Sequence, residues 1–226
     1  MRKIIFFIFF SFLLSTLLYA RETKVYGRVY IPVVKKKERT FRGRMYRNRL
    51  SSRRSGKKAA GGRRSVLEDV IILAYPLSFR PKVKPLKRVN LLQKNARFVP
   101  RVLPVTPGTS VAFINLDRFY HNVFSISPGA RFDIGRRPTG VVVTKTISKT
   151  GEVRLFCDIH SQMNATILSV NTPFFTRANK NGVYLLKNLP PGKYRIEAYH
   201  PDLGRVSEVI TVTENNSERL DFNLNR

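Results

Sequence analysis

The stretch Phe156-Cys157-Asp158-Ile159-His160-Ser161-Gln162-Met163 contains the chain's only cysteine, one of its three histidines and, three residues beyond that histidine, a methionine. About thirty-five residues upstream, His121-Asn122-Val123-Phe124 carries a second histidine. A thiolate, two imidazoles and a weakly bonding thioether make up the donor set of a blue-copper electron-transfer site. Sulfur and nitrogen donors suit both oxidation states of copper, and a site fixed between their preferred geometries passes an electron with little rearrangement. Such a site needs two ligands on one short turn and another from a distant segment. Cys-x2-His-x2-Met with a remote His supplies that. The competing reading is structural: two histidines and a cysteine as ordinary core residues, with Met163 filling a gap between strands.

Outward from these two segments the chain reads as short strands separated by turns. Upstream come Phe98-Val99-Pro100, Val105, a Pro107-Gly108-Thr109 turn and a strand over residues 110–115. Downstream of His121 lie Ser127-Pro128-Gly129, a Gly-Arg-Arg-Pro loop, and strands over 141–147, 152–156 and 163–170. In the last of these, Ala165, Ile167 and Ser169 share one face and Thr166, Leu168 and Val170 the other. No stretch keeps apolar residues at helical spacing for more than one or two turns. Short strands with frequent turn signals predict a β-sandwich.

Taken together, Val111-Ala112-Phe113-Ile114-Asn115-Leu116-Asp117, His121-Asn122-Val123-Phe124-Ser125 and Gly151-Glu152-Val153-Arg154-Leu155-Phe156-Cys157 resemble the cupredoxin family over roughly residues 89–170. The Cys-x2-His-x2-Met spacing is similar to that of amicyanin and shorter than the Cys-x2-His-x4-Met of plastocyanin. Where amicyanin has prolines in this turn, the present chain has Asp158, Ile159 and Ser161. The resemblance implies Cys157 as thiolate ligand and main electronic pathway, His121 and His160 as imidazole ligands, and Met163 as a long axial ligand. It implies that Asn122 ties the two ligand loops together and orients the thiolate by hydrogen bonding. It also implies that His160 reaches an apolar surface patch where electrons leave. The cofactor expected is one copper per chain.

Asn171-Thr172-Pro173 marks a boundary, and strands over 182–186, 193–200, 206–213 and 219–224 follow it. Tyr194, Ile196 and Ala198 share a face opposite Arg195 and Glu197, and Leu220, Phe222 and Leu224 share one in the last strand. The turn Leu189-Pro190-Pro191-Gly192-Lys193-Tyr194 resembles the carboxypeptidase regulatory-like, transthyretin-type sandwich. With Ala198-Tyr199-His200-Pro201 it is similar to two-domain bacterial proteins described as methylamine utilisation or plastocyanin-like. The fold class expected is therefore all-β: a cupredoxin Greek-key β-sandwich over residues 21–170, then a small transthyretin-like β-sandwich over 171–226. About 55 residues are marginal alone, so the second unit is expected to pack on the first.

At the N-terminus Arg2 and Lys3 precede an apolar run, residues 4–19, with Ala20 at a cleavage position. This is the outline of a secretory signal peptide over residues 1–20, and the run falls short of the ~20 residues that span a bilayer. An uncleaved anchor is the other reading. The protein is expected to be periplasmic or secreted. One cysteine excludes an internal disulfide, and an unpaired thiol in an oxidising compartment is protected when bound to metal.

Residues 24–31 alternate as a strand, and 69–75 read as a more fully buried one. Between them the segment from Lys35 to Arg64 holds fourteen Lys or Arg against Glu38 alone, too polar to bury. It is expected to be a mobile insertion, either a solvated loop or a docking arm for anionic lipid, polysaccharide or an acidic redox partner. Nucleic acid is the first thought for a net charge of +28, but no aromatic platform is interleaved with the charges and an exported chain rarely meets it.

Enzymatic readings find no support. An oxidase or nitrite reductase needs further histidines, and His200 alone remains; its expected role is structural. A binuclear copper centre needs a second cysteine. There is no Gly-x-Ser-x-Gly elbow and no metalloprotease His pair. Two classes survive: a mononuclear copper electron carrier, and a copper-free or copper-holding exported interaction protein.

Overall fold

A computed structural model describes residues 23–31, 65–214 and 216–224. The expected signal peptide and the basic insertion lie outside these residues. The described chain is built from strands and one short 3-10 turn, Val66–Asp69, capped by Ser65. In chain order the strands are β1 (Lys24–Tyr30), β2 (Ile71–Pro76), β3 (Val89–Gln93), β4 (Phe98–Val99), β5 (Val102–Val105), β6 (Thr109–Asn115), β7 (Phe124–Ser125), β8 (Phe132–Asp133) and β9 (Val142–Ile147). They continue as β10 (Gly151–Phe156), β11 (Asn164–Ser169), β12 (Phe174–Arg177), β13 (Val183–Lys187), β14 (Gly192–His200), β15 (Gly204–Val212), β16 (Ser217–Arg219) and β17 (Phe222–Asn223). The all-β expectation holds.

One sandwich packs the sheet β5-β11-β10-β7-β8 on the sheet β4-β3-β6-β9. β5 runs parallel to β11 and β3 parallel to β6, so the chain crosses between sheets and is not a simple meander. The pleat sends alternate side chains inward. Val153 and Leu155 of β10 meet Val111 and Phe113 of β6 in a core that also takes Cys157 and Met163.

The second sandwich corrects the expected domain boundary. β1 pairs antiparallel with β13 and parallel with β16 and β17, while β2 lies between β12 and β14. The N-terminal strands, read above as part of the cupredoxin-like unit, thus complete the C-terminal one. Alternation shows that a strand has one buried face but does not name its partner. Val25 and Val29 of β1, Ile72 and Ala74 of β2 and Tyr194, Ile196 and Ala198 of β14 fill a single core. Without the two N-terminal strands this core would lose a central strand from each sheet.

The expected last strand is split into β16 and β17 at Leu220 and Asp221. There the Asp221 carboxylate, in place of a backbone carbonyl, accepts the amide of Arg28 at 2.8 Å. Gly27 lies against this break: a Cβ on it would stand 1.8 Å from the Leu220 carbonyl oxygen.

The two sandwiches are not merely tethered. Ile71 and Leu73, on the other face of β2, pack with Tyr199 against Val102, Leu168 and Val170 of the first sandwich. This is why β2 and β11 read as apolar on both faces. Around this apolar contact Arg101 bonds Asp69 and Asp202, and Arg205 bonds Glu152 and Glu197.

Candidate metal centre

The site forms at one end of the first sandwich, where two strands release the chain into loops. β10 delivers Cys157 directly after Phe156, which is held in register between Asn164 of β11 and Phe124 of β7. The chain then turns, and the amide of Met163 donates to the carbonyl of His160 at 2.9 Å, closing the ligand turn. His121 comes from the loop after β6 and is pinned by backbone bonds in both directions with Arg137, of 3.2 and 2.7 Å. The loop is organised from within. Asn115, at the end of β6, accepts the amide of Asp117 at 2.9 Å and donates to the carbonyls of Phe119 and Arg137 at 2.8 and 3.0 Å.

These constraints bring the three predicted donors together. Cys157 Sγ lies 3.9 Å from His121 Nδ1 and 4.0 Å from His160 Nδ1, and the three donor atoms fall within 4.8 Å of one another. Donors bonded at roughly 2.0–2.3 Å to one ion in a trigonal His2Cys plane stand about 3.5–3.7 Å apart, a few tenths of an ångström closer than the Sγ–Nδ1 distances here. The residues therefore fit a small, thiophilic transition-metal ion. His121 is fully buried and Cys157 nearly so, while His160 is half-buried.

Met163 is buried in the same apolar cluster as Cys157 and Val123, the surroundings a weak axial thioether needs and equally those of a packing residue. Asn122 is buried next to His121, but its Oδ1 has no hydrogen-bond partner among the described residues. The backbone bridge from His121 to Arg137 fixes the His121 loop on its other side.

The residue that the sequence reading passes over is Asp117. Its Oδ2 lies 2.8 Å from His121 Nε2 and accepts the amide of Ala96 at 2.9 Å, while Oδ1 accepts the amide of Asn95 at 2.6 Å. Burial pushes the Asp117 carboxyl upward, but the bonds from Ala96, His121 and Asn95 outweigh it and hold the group below its ordinary range. Asn95 and Ala96 form the β3–β4 turn with φ of 56° and 52°, the left-handed pair that a tight hairpin requires. The available signal was the spacing Asp-x3-His, too common to stand out.

On the outer side, the ring of Phe119 stands 4.9 Å from that of His121 and 5.4 Å from that of His160. Phe119, Tyr120 and Ile159 are all at least 40% exposed, so an apolar surface surrounds the half-buried histidine. Arg136 and Asp158 bond at its edge. The third histidine, His200, ends β14 in the other sandwich, where its Nδ1 accepts the amide of Asp202 at 3.1 Å.

No protein-family model matches the chain, and no curated protein matches it. Among solved structures it is similar over 42% of its length to a copper-containing nitrite reductase (NirK) from Thermus scotoductus SA-01, with 27% identity and a TM-score of 0.36. It spans only 25% of that reductase. A purple cupredoxin from Nitrosopumilus maritimus aligns at 19% identity and a TM-score of 0.33, over 36% of this chain and 99% of that one. A Cu(I) amicyanin mutant aligns at 16% identity and a TM-score of 0.35, over 43% and 98%.

Proposed function

We propose that this chain is an exported, mononuclear copper protein that carries single electrons. The observation that supports the reading most is the cluster of Cys157 Sγ, His121 Nδ1 and His160 Nδ1, all within 4.8 Å at the end of a β-sandwich. In this reading one copper per chain is held by these three atoms with Met163 as axial neighbour. Bound copper supplies a one-electron couple. The protein's own contribution is rigidity: β10 fixes the thiolate, the bridge to Arg137 fixes His121, and the bond from the Met163 amide to the His160 carbonyl fixes the second imidazole. Ligands that cannot move keep the reorganisation on electron transfer small.

His160, half-buried beneath Phe119 and beside the exposed Ile159, is the proposed exit for the electron. A redox partner would dock over that apolar rim, and the chain's charge of +28 favours an acidic one. The segment from Lys35 to Arg64 is proposed to add affinity for anionic surfaces. Its deletion should weaken binding to anionic vesicles and flatten the salt dependence of that binding, since screened attraction is what is removed. The role proposed is that of a carrier and not of an enzyme, because His200 stands apart in the second sandwich, bonded to Asp202. Titration of the purified full chain with copper(II) tests the reading: saturation at one equivalent is expected, and no uptake would refute it.

A further inference from the structure

We propose that Asp117 is a positioning residue for this site: it holds His121 with Nδ1 directed at Cys157 and, through its negative charge, keeps the reduction potential low. The inference rests on the copper reading above, but its geometric half stands without metal.

Three independent features define the role. The first is the bond of 2.8 Å between Asp117 Oδ2 and His121 Nε2. An ionised carboxylate offers only acceptors, so the proton of a neutral imidazole resides on Nε2 and the Nδ1 lone pair is left for a metal. The second is that Asp117 is itself held. Its two oxygens accept the amides of Asn95 and Ala96 at 2.6 and 2.9 Å, and its own amide donates to Asn115 at 2.9 Å. The hydroxyl of Thr139 donates to its carbonyl. A carboxylate anchored on the β3–β4 turn cannot follow a swinging imidazole, so the ring must stay. The third is burial: His121 is 0% and Asp117 8% exposed, so the charge is poorly screened by solvent.

The sign of the electrostatic effect follows directly. A negative charge behind His121 favours the more positive ion, copper(II), over copper(I), and therefore lowers the potential. A partner that orients a ligating histidine and raises its basicity typically changes metal affinity by 10–100-fold when removed. Asp117→Asn keeps the shape and, with its oxygen towards Nε2, an acceptor for it, while deleting the charge and the bond from the Asn95 amide.

The experiment uses the full chain, wild type and Asp117→Asn, with copper as the probe. The variant should retain the thiolate absorption band, lose about 10-fold or more in copper(II) affinity relative to copper(I), and rise in potential by about 59 mV for each such tenfold change. A coloured variant with unchanged potential would overturn the proposal. If the variant does not fold, nitrogen NMR of His121 in the metal-free wild type decides: a proton on Nε2 supports the assignment and a proton on Nδ1 overturns it. If the wild type takes up no copper, the electron-carrier reading falls, while the NMR measurement still tests the hold of Asp117 on His121.

Discussion

Arg101 Nη1 stands 3.1 Å from the carboxylate of Asp69, which is buried, and its other terminal nitrogen reaches Asp202 at 2.8 Å. Arg101 precedes β5 of the sandwich with the candidate metal site, whereas Asp69 precedes β2 and Asp202 follows β14. One guanidinium therefore joins both sandwiches. Arg101→Met keeps the aliphatic stem and removes the charge-assisted bonds. It should lower the unfolding free energy by about 1.5–3 kcal/mol, read as a fall in the urea midpoint with copper colour retained below the transition. An unchanged midpoint would show that Arg101 adds nothing to a junction held by its apolar contact and by the Arg205 bridge.

The strand pairing makes a sharper statement about which segments fold together. A fragment of residues 171–226 lacks β1 and β2, one strand from each of its sheets, and should be unfolded by circular dichroism. A fragment of residues 84–170 holds both sheets of the other sandwich. It should fold and bind copper, but less stably, because Val102, Leu168 and Val170 lose the cover of Ile71, Leu73 and Tyr199. A folded 171–226 fragment would contradict the topology.

Much of this architecture was legible from local pattern. The period-2 alternation of β1 and β14 marked strands with a buried face, and the apolar run of β2 announced fuller burial. The donors were legible too, because cysteine and histidine are scarce here and their spacing is short. What escaped depends on distance along the chain. Nothing in Val25 or Ile72 specifies a partner more than a hundred residues away, so the domain boundary was misplaced. Asp117 escaped because its role comes from the amides of Asn95 and Ala96, which only the folded β3–β4 turn brings near. For Asn122 the structure shows burial beside His121 and an Oδ1 without a partner among the described residues.

His200 supplies a pH test in the second sandwich. Burial lowers its pKa from the ordinary value of 6.5, against the opposing charges of Asp202 and Asp69. Below about pH 6.5 the unfolded chain binds a proton there that the folded chain resists. This contribution to stability is therefore whole above that pH and is lost as the pH falls towards the depressed folded value. Urea midpoints measured from pH 7.5 to 5 should fall more steeply for the wild type than for His200→Asn. Parallel profiles would remove His200 from the account.

Met163 separates the two readings of its burial. Met163→Leu conserves volume and should cost less than about 1.5 kcal/mol. Copper should stay bound, but the potential should rise, since copper(II) loses more than copper(I) when an axial thioether departs. An unchanged potential and spectrum would make Met163 a packing residue.

The central claim is that Cys157, His121 and His160 hold one copper ion through a thiolate bond. It is tested most directly by the visible spectrum of the full chain after one equivalent of copper(II), recorded for the wild type and for Cys157→Ser. The account predicts an intense thiolate-to-copper band near the red end of the spectrum in the wild type and none in the variant. A colourless wild type, or a Cys157→Ser protein that keeps the band, would contradict it.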